Sequence, residues 1–217
     1  MKKRILSILL LCCMVLTLLP TTVLAADGPM DTIPKYDVSI DVYNRTSDIS
    51  IKDSRSYYIY SSVPDKLRDT WAWDKKIFIK GDKTAPHVFI DGVNIKMSPS
   101  SKGPAIELNK KASAYLYFIG RDSTLQGADG RAAIQKNRSE GQLYVLARTG
   151  TTVTCKGGDK AAGIGGSYAT RNISNGYYNG DMYGHGVNMH FGSQSNPDYW
   201  GGTINASGGE YGAGIGA

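Results

Sequence analysis

The chain contains little cysteine and little proline, so neither residue type provides a structural framework. Its 217 residues include 3 cysteines and 8 prolines. Cys12 and Cys13 lie inside an apolar N-terminal segment, and only Cys155 follows it. An intramolecular disulfide is therefore excluded downstream of that segment. The sequence predicts a buried thiol at Cys155, with a reactive or intermolecular thiol as the alternative.

The first 25 residues contain no acidic side chain and have the order of an export signal. Lys2, Lys3 and Arg4 precede an apolar run over residues 5–19, and Val23-Leu24-Ala25 precedes Ala26. This order predicts a signal peptide over residues 1–25. The apolar run is short for a permanent membrane span, and an uncleaved anchor is the alternative. The residues before the two cysteines are not small, which excludes a lipoprotein signal. We expect a secreted protein, extracellular or associated with the cell wall.

Beyond residue 25, long runs of basic residues are also absent. Without residues 1–25 the formal net charge falls from +6 to +3, and the remaining lysines and arginines are scattered. A nucleic-acid-binding surface would need them clustered. We therefore expect no nucleic-acid partner.

Sustained helical periodicity is missing after the N-terminal segment, whereas glycine and tyrosine are frequent, with 26 and 14 residues. Short alternating runs, each closed by glycine or polar residues, occur instead, as in residues 87–90, 114–119 and 142–146. Such runs are typical of β-strands. The sequence predicts an all-β fold, which leaves a sandwich, a barrel or a solenoid.

Internal repetition favours the solenoid. Small residues precede an isoleucine that recurs with spacings of 28, 30 and 51, at Ile106, Ile134, Ile164 and Ile215. A second aliphatic series has spacings of 30, 28 and 51, at Ile95, Leu125, Val153 and Ile204. A third, looser series runs through Phe89, Phe118 and Val145 and continues within residues 187–191. Repetition at a fixed period is the mark of stacked units. We predict a right-handed parallel β-helix with three short strands per coil, coils of about 28–30 residues, and the four isoleucines stacked as a core ladder.

The chain divides into three predicted segments. Residues 1–25 are the signal peptide, residues 26–47 form an N-terminal cap with an irregular strand, and residues 48–217 form the β-helix. Ile77 lies 29 residues before Ile106, which extends the repeat backward. Residues 65–74 are predicted as a loop or short helix that projects from the first full coil. The sequence stops in the middle of a unit, so we expect the repeat domain to be truncated.

Several phrases resemble a known type of protein. They are DISIKDSRSYYIY, HVFIDGVNIKM, STLQGADGRAAIQ, AAGIGGS and GGTINASGGEYGAGIGA. Together they resemble secreted Gram-positive proteins of clostridial type, which have a carbohydrate-binding-like parallel β-helix domain and Gly-Ala-Gly-Ile-Gly-Gly repeats. The resemblance covers about residues 45–217 and implies an architecture more than an activity. The long tyrosine-rich insertion departs from it.

Aromatic side chains supply the candidate ligand-binding residues. The insertion that lengthens one unit to 51 residues interleaves aromatic with amide, carboxylate and imidazole groups, and its aromatic residues are Tyr168, Tyr177, Tyr178, Tyr183, Tyr199 and Trp200. Rings beside such groups suit sugars, because C–H faces stack on rings while hydroxyls form hydrogen bonds. A self-packed surface loop is the alternative. Trp71 and Trp73 form a second candidate, with packing onto the first coil as their alternative.

Acidic residues five positions before the aligned isoleucines are candidate ligands of a calcium ion. Asp129, Asp159 and Glu210 would then lie on neighbouring coils, where Ca²⁺ would relieve their repulsion. Arg131 and Lys160 could neutralise them equally well. We expect no other cofactor.

Catalytic constellations are not found. Asp91 and Asp122 lack a third acidic partner, and His87, His185 and His190 have no metal-ligand spacing. No Gly-x-Ser-x-Gly sequence occurs. We predict a non-catalytic module that binds polysaccharide, a host glycan or a wall glycan. The alternatives are a structural or adhesive surface spacer that meets protein partners and, as the fallback, a polysaccharide lyase or hydrolase.

Overall fold

The computed structural model describes residues 35–98, 103–167, 186–193, 195–196 and 198–216. These residues form one short 3₁₀-helix, Asp65–Leu67, and sixteen strands. The strands are Val38–Asp41 (β1), Ile49–Ile51 (β2), Ser56–Tyr60 (β3), Ile77–Lys80 (β4), His87–Asp91 (β5), Asn94–Lys96 (β6), Ile106–Asn109 (β7), Ala114–Phe118 (β8), Ser123–Gln126 (β9), Ile134–Lys136 (β10), Leu143–Ala147 (β11), Thr152–Lys156 (β12), Ile164–Gly165 (β13), Met189–Phe191 (β14), Thr203–Ser207 (β15) and Ile215–Gly216 (β16). Within them, no helix has the length and apolar composition of a transmembrane span.

The strands stack into three parallel sheets along one axis. The first sheet has the order β1-β3-β5-β8-β11-β14, the second has β2-β4-β7-β10-β13-β16, and the third has β6-β9-β12-β15. The chain passes from the first sheet to the third and then to the second in each of the four coils that begin at β5, β8, β11 and β14. The prediction of a parallel β-solenoid with three strands per coil is confirmed.

A column of isoleucines forms the core side of the second sheet. The predicted members Ile106, Ile134, Ile164 and Ile215 pair in register as expected, and the column extends backward through Ile77 to Ile49. Burying one such side chain fully contributes about 1.5–3 kcal/mol. The column therefore supplies a large part of the packing energy that holds successive coils together.

The register of the third sheet corrects the second repeat series. Ile95 pairs with Leu125 as predicted, but Leu125 continues to Cys155, not to Val153. Val153 pairs instead with Ser123 on one side and Ile204 on the other. Both columns face the core, and Ser123 is buried with its Oγ accepting a hydrogen bond from the Val93 amide at 3.1 Å. Cys155 is also buried, which confirms the predicted buried thiol.

The third repeat series was likewise wrong in part, because Phe89 and Phe118 lie on opposite faces of the first sheet. Phe118 is fully buried in the core and pairs with Ile90. Phe89 pairs with Tyr117 on the outer face. Val145 belongs to another core column, between Leu116 and Phe191. When both faces of a sheet carry rings, an aromatic residue in the sequence does not indicate whether its side chain lies on the core face or the outer face.

Lys136 occupies a core position in the second sheet beside Leu108. Its side chain is 1% exposed, and its Nζ donates to the carbonyl oxygens of Arg138, Ser139 and Glu140. Burial lowers the pKa of this amine, while the nearby Glu140 carboxylate opposes the change. The ammonium group ties the loop after β10 to the core.

Close backbone approach at the corners requires glycine. A Cβ atom on Gly158 would overlap the Ala128 carbonyl oxygen of the preceding coil. Glycine at this corner lets successive coils keep the strand spacing of about 4.8 Å.

The N-terminal part joins the same stack. Within the predicted cap, β1 is a regular strand, because its four residues pair in register with β3. Residues 65–74, predicted as a loop or short helix, begin with the 3₁₀-helix Asp65–Leu67. Trp73 then forms an isolated parallel bridge with Ile95, which places residues 72–74 beside β6 at the start of the third sheet.

Candidate functional site

A stack of four rings runs along the outer face of the first sheet. Its members, His87, Tyr115, Tyr144 and His190, occupy paired positions on β5, β8, β11 and β14. Their ring centroids are 4.6, 4.5 and 4.4 Å apart in that order, with interplanar angles of 4°, 7° and 14°. We call these residues the ring stack. Because each inner ring uses both faces against its neighbours, the stack presents ring edges and polar atoms to solvent rather than open faces.

A second group of rings lies beside the ring stack and is largely covered. Tyr58, Phe89 and Ile119 are buried together, with Tyr60, Tyr117 and Trp200 packed against them. We call these six residues the outer aromatic cluster. The Tyr117 hydroxyl lies 3.0 Å from His87 Nδ1, which joins the cluster to the ring stack. Burial raises the pKa of Tyr117 to about 12, so its hydroxyl stays protonated at neutral pH.

Charged groups close one side of the outer aromatic cluster. The Tyr58 hydroxyl donates to Asp91 Oδ2 at 2.8 Å, and Arg121 Nε lies 3.3 Å from Asp91 Oδ1. Burial raises the pKa of Tyr58, and its hydrogen bond to the Asp91 carboxylate acts in the same direction. The carboxylate of Asp91, considered above as a candidate catalytic acid, thus contacts both Tyr58 and Arg121.

A groove of about 330 Å³ lies at the start of the third sheet, next to the short helix. Its lining combines one indole with amide, hydroxyl and charged groups, and comprises Asp69, Thr70, Trp71, Ala72, Asn94, Ile95, Lys96, Thr124 and Gln126. We call this the Trp71 groove. Its volume is at the lower end of the roughly 300–1,000 Å³ of small-molecule sites.

Local structure holds Trp71 in the groove wall. Its amide donates to the Leu67 carbonyl at 2.8 Å, which continues the turn of the short helix. Its ring packs against the core and against Tyr43, at a centroid distance of 5.4 Å and an angle of 66°. The Asn94 Nδ2 atom donates to the Arg68 carbonyl at 3.2 Å, which ties this segment to β6. The indole is half-buried, so part of it remains open to the groove.

Two columns of polar side chains extend from the groove along the outer face of the third sheet. The amide–hydroxyl column contains Asn94, Thr124, Thr154 and Asn205, and the lysine column contains Lys96, Gln126, Lys156 and Ser207. Members of each column pair in register on successive strands. Each strand of the third sheet thus carries two outward-facing polar side chains, one in each column.

The structure separates the two predicted tryptophans. Trp73 is 3% exposed, lies in the core and donates from Nε1 to the Arg45 carbonyl at 2.8 Å. A ring buried to this extent has no face for a ligand, so the prediction of a ligand-binding Trp73 is corrected in favour of packing. Trp71 is the one of the two that lines a groove.

Tyr199 and Trp200 are the predicted insertion residues that the structure describes; Tyr168, Tyr177, Tyr178 and Tyr183 lie outside the described residues. The Trp200 ring lies 5.1 Å from Tyr117 at an angle of 39° and meets the edge of Tyr199 at 4.6 Å. The Arg148 guanidinium lies over Tyr199 at 5.7 Å. Both rings are half-buried in contacts within the chain, and their ligand role stays a prediction.

The calcium hypothesis for Asp129, Asp159 and Glu210 also stays a prediction. Asp159 lies 3.8 Å from Lys160. In the part of the chain that the structure describes, no three His, Cys, Asp or Glu side chains form a group that could hold a metal ion.

Sequence reasoning missed the ring stack and the two polar columns. Their signal was present at alternate positions of the strands, where rings or amide and hydroxyl side chains face outward. Finding it requires the register, because Tyr115 and Tyr144 are 29 residues apart.

Comparisons of this chain with protein-family models, with curated proteins and with solved structures found no match.

Proposed function

We propose that the chain is an exported, non-catalytic module that binds polysaccharide at the Trp71 groove. The observation that supports this most directly is the composition of the groove, where an indole stands beside amide and hydroxyl groups on a rigid sheet. Export rests on residues 1–25, whose charged start and apolar run are those of a signal peptide.

The groove offers both kinds of contact that a sugar needs. The half-buried indole of Trp71 gives an aromatic surface for the C–H face of a pyranose. Asn94, Thr124 and Gln126 offer donors and acceptors for its hydroxyls. Because these three side chains stand on paired strands β6 and β9, their spacing is fixed before the ligand arrives. A preformed site loses little conformational entropy on binding.

The charged groups of the groove support binding without cleavage. Glycoside hydrolysis in most families uses two carboxyl groups that flank the scissile bond. Asp69 is the one carboxylate among the residues that line the groove. The remaining charged residue of the lining is Lys96.

Affinity electrophoresis of the protein in gels that contain soluble polysaccharides tests the proposal. We expect retardation by at least one polysaccharide, and Trp71→Ala should remove it while Trp71→Phe retains part of it. Phe78→Ala is the matched control, since this half-buried ring lies on the outer face of the second sheet, outside the groove lining. Circular dichroism melting shows whether each variant is folded. Retardation unchanged in a folded Trp71→Ala protein would exclude the groove as the site.

A second candidate function is a structural or adhesive surface spacer that contacts protein partners. The outer face of the first sheet favours it, because Tyr115 and Tyr144 present half-exposed edges in a rigid row. A glycan array separates the two candidates, since the spacer predicts no signal on any glycan.

A further inference from the structure

Two lysines stand at regular positions on the outer face of the third sheet. In the lysine column, Lys96 and Lys156 are exposed and are separated by the amide of Gln126. Neither ammonium group forms an ion pair with any residue that the structure describes. The four members of the neighbouring amide–hydroxyl column are all uncharged.

Three carboxylates lie near these lysines, and two of them have other partners. Asp74, in register with Lys96 beyond the Trp73–Ile95 bridge, forms an ion pair with Lys75 at 2.6 Å. Asp122, at the approach to β9, accepts a hydrogen bond from the Thr152 amide at 2.7 Å. Asp69 lines the Trp71 groove together with Lys96 and lies in the segment after the short helix. Since none of the three forms an ion pair with Lys96 or Lys156, both ammonium groups can bind an external anion.

The repeat distance of the sheet sets the spacing of these charges. Parallel strands are about 4.8 Å apart, so Lys96 and Lys156, two strands apart, are separated by roughly 10 Å along the axis. An extended chain of equatorially linked pyranoses advances by roughly one strand spacing per sugar. A chain that lies along the axis would therefore place one sugar at each coil and meet a lysine at every second sugar.

We propose that the ligand is a linear polysaccharide with one carboxylate per disaccharide, bound parallel to the solenoid axis across the third sheet. This inference rests on the proposed function and names its substrate class. The Trp71 indole stacks on the first sugar, while Lys96 and Lys156 pair with carboxylates two sugars apart. Gln126 forms hydrogen bonds with the neutral sugar between them. The amide–hydroxyl column bonds the sugar hydroxyls at each coil.

Oligosaccharides of hyaluronan, which alternate a uronate with a neutral N-acetylated amino sugar, test this inference by isothermal titration calorimetry with the full chain. A disaccharide has one carboxylate and reaches one lysine, whereas a tetrasaccharide has two and reaches both. We expect the tetrasaccharide to bind more tightly, and its affinity to fall as salt is added. Exposed ion pairs are individually weak, so the double variant Lys96→Gln/Lys156→Gln should lower tetrasaccharide affinity about three- to tenfold.

The matched control is Lys83→Gln/Lys110→Gln, which removes the same charge from the corner between the second and first sheets. It should leave the affinity unchanged. A neutral cello-oligosaccharide should bind the wild-type protein and the Lys96→Gln/Lys156→Gln protein equally. Lys156→Gln alone should remove the advantage of the tetrasaccharide over the disaccharide.

Two outcomes would overturn the inference in distinguishable ways. If Trp71→Ala removes binding of both oligosaccharides while Lys96→Gln/Lys156→Gln changes neither, the proposed function stands and the anionic, axis-parallel ligand is wrong. If neither hyaluronan nor any neutral oligosaccharide binds the wild-type chain, both proposals fail.

Discussion

Ser123 lies directly beside Val153 in the third sheet, with both side chains directed into the core. The serine is 1% exposed, and its Oγ accepts the hydrogen bond of the Val93 amide at 3.1 Å. The hydroxyl thus serves a backbone group at the corner of the preceding coil that has no strand partner. A polar side chain in an aliphatic column is explained by that one contact.

Replacing Ser123 with alanine should leave the Val93 amide buried without an acceptor. The expected loss in the free energy of unfolding is about 1–3 kcal/mol. Urea denaturation followed by circular dichroism measures it. Thr124→Ala, the exposed neighbour on the same strand, is the control and should change stability by less than about 0.5 kcal/mol. Equal effects of the two substitutions would show that the Ser123 hydroxyl has no special role.

The position of an isoleucine in the core ladder should decide how much it contributes. Ile134 is fully buried between Ile106 and Ile164, whereas Ile215 on the last described coil is 47% exposed. Ile134→Ala should therefore lower the free energy of unfolding by about 2–5 kcal/mol. The same substitution at Ile215 should cost well under half as much. Urea denaturation of both variants decides, and similar losses would contradict burial between coils as the source of stability.

Tyr115 is an inner member of the ring stack and contacts a ring on each side. Tyr115→Ala removes both stacked contacts, each worth about 0.5–1.5 kcal/mol beyond the area buried. His190→Ala, at the end of the stack, removes one and should cost less. Tyr115→Phe keeps the ring and should be close to wild type. A phenylalanine variant as unstable as the alanine variant would assign the effect to the hydroxyl instead.

Cys155 should be chemically silent in the folded protein. Burial raises the pKa of its thiol to about 12, whereas an unfolded thiol has a pKa of about 8.5. Since the thiolate is the nucleophile, iodoacetamide at pH 8 should leave Cys155 unmodified until urea is added, as read by peptide mapping. Rapid alkylation of the native protein would place the thiol at the surface.

The same difference in pKa predicts a stability change at high pH. The folded state favours the neutral thiol, so its contribution to the free energy of unfolding is complete below about pH 8.5. The contribution is lost as the pH rises toward 12. Cys155→Ala should lack this part of the alkaline decline in urea denaturation.

The fold could be predicted from the sequence where one residue type recurs at one face. The second sheet met that condition, because isoleucine alone fills its main core column and small residues mark the corner before it. In the third sheet, Leu125 and Val153 both face the core but belong to different columns. Side chains alternate with a period of two, so a shift by two residues keeps the same face and leaves the hydrophobic pattern unchanged. The sequence therefore could not show that Leu125 and Val153 are misaligned by two residues.

The site could be predicted less well, because it depends on register rather than on local pattern. The Trp71 groove combines the segment after the short helix with residues of β6 and β9, from 23 to 55 positions farther along the chain. The sequence identified Trp71 but could not separate it from Trp73, since the bridge from Trp73 to Ile95 determines which ring enters the core. The length of the aromatic insertion led to the prediction of a binding site there, whereas the rings that stack in order lie on the regular strands.

Parallel pairing between adjacent coils also determines how the molecule would respond to mechanical force. Each of the three sheets joins a coil only to the ones directly before and after it. Tension applied to the two ends of the stack would therefore unfold one coil at a time rather than the whole fold at once. At about 3.3–3.6 Å per extended residue, unfolding one coil of 28 residues increases the distance between the two ends by roughly 100 Å. Such a protein would lengthen in a series of steps and dissipate mechanical energy at each step.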